Sequence, residues 1–170
     1  FIYTHIHNTN RLPMRGLTTQ VVRVVPRGEY LLTLRAQGTL MEGSIEELRE
    51  ELYLTRRATQ YIIDALWELD KLPTVNQLHQ MFYNMLRSQG FRAHQAKQIY
   101  KYALAVVKSA RENGGSKPIL RKLSARLDKY DATVDLENMT VLARMRNRVF
   151  RIRLLHNKGY IGKFIGREWY

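Results

Sequence analysis

Ile45, Leu48, Leu52, Thr55, Ala58, Ile62, Ala65 and Leu69 recur at three- and four-residue steps through the first half of the chain, a spacing that commits this stretch to a long amphipathic helix. Ser44 followed three positions later by Glu47 forms a capping box, in which each side chain satisfies a backbone amide at the helix start. The helix is therefore expected to begin there and to run about seven turns, until Leu72 and Pro73 interrupt it. A stripe of that length needs helical partners, and two follow. Thr74 is the expected cap of a second helix, with Leu78, Met81, Phe82, Met85 and Leu86 inward and Gly90 at its end. A third is expected from Ala93 to Glu112, with Ala96, Ile99, Tyr100, Ala103, Val107 and Ala110 as its apolar stripe.

Both flanks read as strands. Val21, Val22, Val24 and Val25, closed by Pro26, Arg27 and Gly28 and resuming at Tyr30 to Ala36, carry a β-hairpin signal. Beyond Asn113, Gly114, Gly115 and Ser116, strand character returns. Leu123, Ala125 and Leu127 alternate with polar residues, short strands are expected at Thr133 to Leu136 and Met139 to Met145, and Arg146 and Asn147 form a tight turn. In the returning limb Phe150, Ile152 and Leu154 take one face and Arg151 and Arg153 the other. Residues 1 to 17 mix aromatic, histidine and asparagine residues with Pro13 and Gly16 and read as an irregular arm. The expected fold is α+β: a small antiparallel β-barrel or sheet built from both ends of the chain, residues 1–43 and 114–170, with a three-helix bundle inserted at 44–113.

Charge is the strongest functional signal. The 170 residues carry 28 Lys and Arg against 15 Asp and Glu, a formal net charge of +13, which points to a polyanionic partner, nucleic acid first. The charge is uneven, with +8 on residues 114–170 and −3 on residues 44–72, so the third helix and the last β region are the expected polyanion surfaces. With no cysteine, disulfide scaffolds, zinc ribbons and cysteine nucleophiles are excluded from this chain. No apolar run approaches the roughly 20 residues of a membrane-spanning helix, so a soluble, cytoplasmic protein with no membrane partner is expected. Phe1 at the start and Glu168, Trp169 and Tyr170 at the end suggest a segment of a longer protein.

Arg144, Arg146, Arg148, Arg151 and Arg153 crowd one hairpin with no acid among them. Arginine offers a planar donor fork suited to phosphate oxygens and base stacking, although arginines on a solvated strand face also discourage edge-to-edge aggregation. Lys97, Lys101, Lys108 and Arg111 form a second basic face on the third helix. His94, Gln95 and Gln98 carry groups of the kind that read base edges, as many capping residues do, and Tyr100 reads as core while Tyr102 is open to stacking. His5 and His7 make a weak metal pair without a third ligand. Asp128, Asp131 and Asp135 fit turn chemistry better than a magnesium cluster, and Glu46, Glu47, Glu50 and Glu51 complement the dipole of the first helix. No phosphate-binding glycine loop or serine-histidine-acid pattern is present.

The run Lys117-Pro118-Ile119-Leu120-Arg121-Lys122-Leu123-Ser124-Ala125-Arg126-Leu127-Asp128, continuing through Val134-Asp135-Leu136-Glu137-Asn138 to the arginine hairpin, resembles archaeal TnpB. These are the OrfB-type transposases of insertion sequences, RNA-guided DNA endonucleases akin to type V CRISPR effectors. The resemblance is most specific from Lys117 to Trp169 and looser through the helices and over residues 1 to 17. It implies a wedge-type barrel interrupted by a helical recognition domain, with guide RNA and target DNA as partners. Base pairing would carry most of the sequence reading, and the protein would hold backbones and a short DNA motif beside the target. On that resemblance Gln98 is the best candidate for a DNA-motif contact, with Asp128 and Lys129 behind it. Arg121 and Arg126 join the basic residues expected on nucleic acid. The family's metal-binding carboxylates and zinc ribbon belong to later domains that would lie beyond Tyr170, so neither catalysis nor a cofactor is expected of this chain. Two other readings remain open: a double-stranded DNA-binding protein using the second and third helices as a helix-turn-helix, and a protein-interaction module with incidental basicity.

Overall fold

The computed structural model describes the backbone of residues 2–8, 17–23 and 32–155 and the side chains of residues 36–155. Among the described residues seven strands and three helices follow in the order β1 (Ile2–Asn8), β2 (Leu17–Arg23), β3 (Leu32–Glu42), α1 (Ile45–Trp67), α2 (Val75–Ser88), α3 (Ala93–Glu112), β4 (Ser124–Leu127), β5 (Ala132–Asp135), β6 (Thr140–Met145) and β7 (Arg148–Leu155). The chain is thus α+β with three consecutive helices between strands. Every strand pairing is antiparallel, and the sheet order is β4-β1-β2-β3-β7-β6-β5.

That order dictates the shape of the sheet. β4 and β5 are its two edges, yet residues 128–131 alone connect them. Seven strands laid flat would put the edges about 29 Å apart, whereas the connection spans at most about 18 Å when fully extended. The sheet is therefore curled until its edges approach at that turn. It is not closed into the barrel expected from the sequence, because no ladder joins β4 to β5 among the described residues.

The curled sheet buries Ala125, Leu127, Ala132, Val141, Ala143, Met145, Phe150, Ile152 and Leu154 on its inner face, and Leu48 and Leu52 from the first turns of α1 join them. Further along, α1 changes partners. Ala58, Ile62, Ile63 and Leu66 pack with Leu78, Phe82 and Leu86 of α2 and with Ala96, Ile99, Tyr100, Ala103 and Val107 of α3. One helix thus belongs to both cores, and at about 1.5–3 kcal/mol for each large apolar side chain buried it couples them mechanically. Gly43, between β3 and α1, has φ 88°, and a Cβ there would lie 2.7 Å from the Phe150 ring. Only glycine suits both the left-handed backbone and the close approach.

The Ser44 capping box and the Thr74 cap form as expected, with Glu47 N donating to Ser44 Oγ (3.1 Å) and Gln77 N to Thr74 Oγ1 (3.3 Å), and Gln77 Oε1 accepts from Thr74 N (2.8 Å) to make that cap a box as well. α2 ends in a Schellman motif, with Phe91 N donating to Leu86 O and Gly90 N to Arg87 O. Four expectations need correction. Residues 2–8 are an interior strand, second in the sheet order, rather than part of an irregular arm, because β4 and β2 both offer them backbone partners. α1 stops at Trp67, before Leu72. Met81 is exposed, since α2 meets its partners along one narrow stripe, and Ile45 is exposed at the head of α1. The turn region expected at Pro26, Arg27 and Gly28 lies outside the described residues, as does the chain after Leu155.

Candidate nucleic-acid interface

A groove of about 520 Å3 opens where α1, α3 and the chain entering β4 meet. Gln60 of α1 builds one wall: its Nε2 donates to Pro118 O at 3.1 Å, and its Oε1 accepts from Leu120 N at 2.8 Å, which lays residues 118–120 across the helix. Arg56 Nη1 donates to Arg121 O at 3.0 Å and extends the same seam. Thr55, Thr59 and Ile99 are buried at the floor, while Arg121, Lys122 and Ile119 are exposed at the mouth. On the α3 side stand Gln98 and Tyr102, and the Arg126 guanidinium lies 3.8 Å over the Tyr102 ring.

Among the described residues the lining carries Arg56, Arg121, Lys122 and Arg126 and no carboxylate. Four cations gathered around one concavity favour an anion there, and low-dielectric walls focus their field outward. A second concavity of about 570 Å3, over Leu72, Pro73 and the start of α2, carries Lys71 as its one cation, which makes it the poorer anion site.

Of the expected residues, Gln98, Arg121 and Arg126 converge on this groove. Lys97 and Lys101 precede Gln98 and Tyr102 by one residue each, about 100° around α3. Lys129 is exposed on the β4–β5 turn with its Nζ 5.4 Å from the Tyr130 ring centroid. Lys108 faces Glu112 at 3.8 Å on the helix surface.

The arginine hairpin is distributed differently. Arg148 Nη1 pairs with Glu50 Oε2 at 2.7 Å and lies 3.3 Å from Glu51 Oε1. Arg146 Nη1 stands 3.5 Å from the same Glu51 oxygen, and Arg151 Nε meets Glu42 Oε1 of β3 at 2.9 Å. Three of the five arginines thus fasten the hairpin to α1 and β3. Arg144 donates to Thr133 Oγ1 at 3.3 Å, and Arg153 carries no ion pair among the described residues. Glu51 is almost fully buried and its oxygens accept no hydrogen bond there, so burial pushes its carboxyl above the ordinary range despite the two guanidinium groups. Glu50, hydrogen-bonded to Arg148 in the open, is held below it.

The start of α3 also has a structural task. Gln95, expected among base-reading residues, is buried, and its Oε1 accepts from Arg92 N (3.2 Å) and Arg146 N (3.0 Å). His94 Nδ1 lies 2.8 Å from Asp128 Oδ2, with its ring stacked on Tyr130 at 4.0 Å, and Arg92 Nε pairs with Asp131 at 2.6 Å. These contacts clasp the β4–β5 and β6–β7 turns to the helix. Gln98 reaches Asp128 over a long 3.4 Å, so it borders both seam and groove. Asp128 also accepts from Tyr130 N, and Asp135 accepts from Asn138, which holds its carboxyl low; both serve turns. Arg111, expected on a polyanion face, instead donates to the Leu66, Trp67 and Leu69 carbonyls at 2.5–3.2 Å. It caps α1, whose last turn has no basic residue of its own. His5 and His7 lie in β1, their side chains outside those described.

Sequence reading missed Arg56, Lys122 and the threonine floor. The adjacency of Arg121 and Lys122 was a usable signal, but Arg56 was hidden by the net acidity of its helix. Fold and site define an α+β chain with a curled antiparallel sheet, an inserted helical bundle and a basic groove at the junction of the two. No protein-family model, no curated protein and no solved structure matches it.

Proposed function

We propose that this chain is a nucleic-acid-binding module and that the groove between α1, α3 and β4 is its principal contact. One observation carries this: four cations line one concavity, with no carboxylate among its described lining residues, the electrostatic footprint expected of a phosphate-binding surface. Lys97 and Lys101 on the flank of α3 and Arg153 and Arg144 on the sheet are its outlying contacts. The resemblance to archaeal TnpB extends the proposal to its finer form, a wedge and recognition region of a transposon-encoded RNA-guided nuclease in the cytoplasm, holding guide RNA and target DNA with its adjacent motif. The curled sheet stands for the wedge-type barrel in that reading, and cleavage belongs to other domains. The helix-turn-helix alternative is less well supported, because His94 and Gln95 at the start of α3 are engaged with the β turns instead of being free for base edges.

The test is a salt titration of binding to a structured RNA and to a DNA duplex, with the Arg121→Ala/Lys122→Ala double variant alongside. Each phosphate contact contributes about 0.7–0.9 to the slope of log affinity against log salt, so the double variant is expected to lower the slope by about 1.5. Tighter binding of the structured RNA supports the finer form. Affinity weaker than micromolar at moderate salt, or a slope the variant leaves unchanged, would refute the proposal and favour a protein-interaction module.

A further inference from the structure

We propose that the groove is a pocket for a single unpaired nucleotide, an inference that rests on the nucleic-acid reading above. A duplex is convex and keeps its bases inside, so it can meet the exposed rim, Arg121 and Lys122, but cannot fill a concavity whose floor is the buried pair Thr55 and Thr59 with Ile99. About 520 Å3 falls within the roughly 300–1,000 Å3 of small-ligand pockets, the scale of one nucleotide. The chemistry is layered to match. Cations at the rim suit a phosphate. Below them, Arg126 Cζ lies 3.8 Å from the Tyr102 ring centroid, an arginine–aromatic pair of the kind against which a base stacks. At the floor, the Thr55 and Thr59 hydroxyls donate to the Glu51 and Thr55 carbonyls at 2.8 and 2.7 Å. Their protons are committed, so toward a ligand these hydroxyls act only as acceptors, suited to the N–H groups on the pairing edge of a base. A paired base has those groups occupied, whereas an unpaired one presents them.

The experiment measures binding of the full chain to two RNA hairpins of equal length and charge, one fully paired and one with a single bulged nucleotide, with uridine monophosphate as competitor. The bulged hairpin is expected to bind about tenfold more tightly. Thr59→Val, which keeps the shape of the floor and removes its acceptor, and Tyr102→Ala, which removes the platform under Arg126, should each reduce that ratio to below about threefold. Lys108→Ala, remote from the groove, should leave the ratio intact. Equal binding of the two hairpins, or a ratio that neither floor nor platform variant changes, would overturn the pocket while leaving the basic groove as a phosphate contact. Salt-insensitive binding of both hairpins, or none, would overturn the nucleic-acid reading with it. Uridine monophosphate binding as tightly as the bulged hairpin would overturn the polymeric source in favour of a free nucleotide.

Discussion

Replacing Gln95 by methionine tests how the helices are joined to the sheet. The Gln95 side chain is 1% exposed. Its Oε1 accepts from Arg92 N at the start of α3 and from Arg146 N in the β6–β7 turn, 51 residues away. Methionine keeps the volume and removes the acceptor. Two amide donors then lose their partner, at about 1–3 kcal/mol each when buried. Arg92 N, at a helix start, can turn partly to water, and removal of the Nε2 donor, which has no partner among the described residues, returns part of the loss. The net cost is about 2 kcal/mol, or about 4–8 °C in melting temperature for a chain of this size. Thermal and urea denaturation followed by circular dichroism measure it, and Gln98→Met, one turn along α3 with only a 3.4 Å bond to Asp128, serves as the control, with an expected change under about 0.5 kcal/mol. If Gln95→Met melted with the wild type, or with the control, the two Oε1 bonds would not be what fastens α3 to the hairpin.

Arg111→Ala removes four charged hydrogen bonds to carbonyls at and just past the end of α1 and is expected to cost about 2–3 kcal/mol in urea denaturation while changing nucleic-acid affinity less than twofold; a loss of affinity without loss of stability would return Arg111 to the binding surface. Gly43→Ala combines a left-handed residue with a clash against Phe150 and should destabilise by about 2–5 kcal/mol, so an unchanged urea midpoint would contradict the close approach. The pH dependence at Glu51 has a defined sign. Burial raises its folded pKa above the ordinary 4.5, so the folded state holds a proton that the unfolded state has released, and stability falls as pH rises through the window from about 4.5 to the folded pKa. The stability difference between wild type and Glu51→Gln, measured from about pH 4 to 7, should therefore shift against the wild type with rising pH, and a pH-independent difference would argue that Glu51 is not perturbed.

Local periodicity and local turn chemistry made much of this fold legible. α3 runs from Ala93 to Glu112 as its stripe indicates, and Phe150, Ile152 and Leu154 are buried opposite Arg151 and Arg153 because a strand has only two faces. β1 escaped notice although Ile2, Thr4 and Ile6 alternate with Tyr3, His5 and His7; histidine and asparagine dilute strand propensity, and what secures the strand is pairing with β2 and with β4, a segment more than a hundred residues away. The hairpin arginines were legible as a charge cluster but not as ion pairs, since the partner of Arg148 lies 98 residues earlier and that of Arg151 109 residues earlier. The groove, gathered from residues 55–59, 98–102 and 119–126, has no local signature at all.

The acidity of α1 now has a physical account. Its first turns carry Glu50 and Glu51 beside Arg146 and Arg148, and the Glu47 backbone carbonyl also accepts from Arg148, so this end of the helix holds the hairpin and offsets part of its charge. One to two turns later the same helix presents Thr55, Arg56 and Thr59 to the groove without an acid among them. Among the described residues the acids of α1 thus lie beside the hairpin, where the linear sequence concentrates arginine, and none lines the groove at the junction of sheet and helices. Exposed charges more than about 8 Å apart are largely screened at physiological salt, so the short-range balance around each concavity, rather than the +13 of the whole chain, decides where a polyanion is held. On that balance the groove is the site we propose, while Arg146, Arg148 and Arg151 fasten the hairpin to α1 and β3.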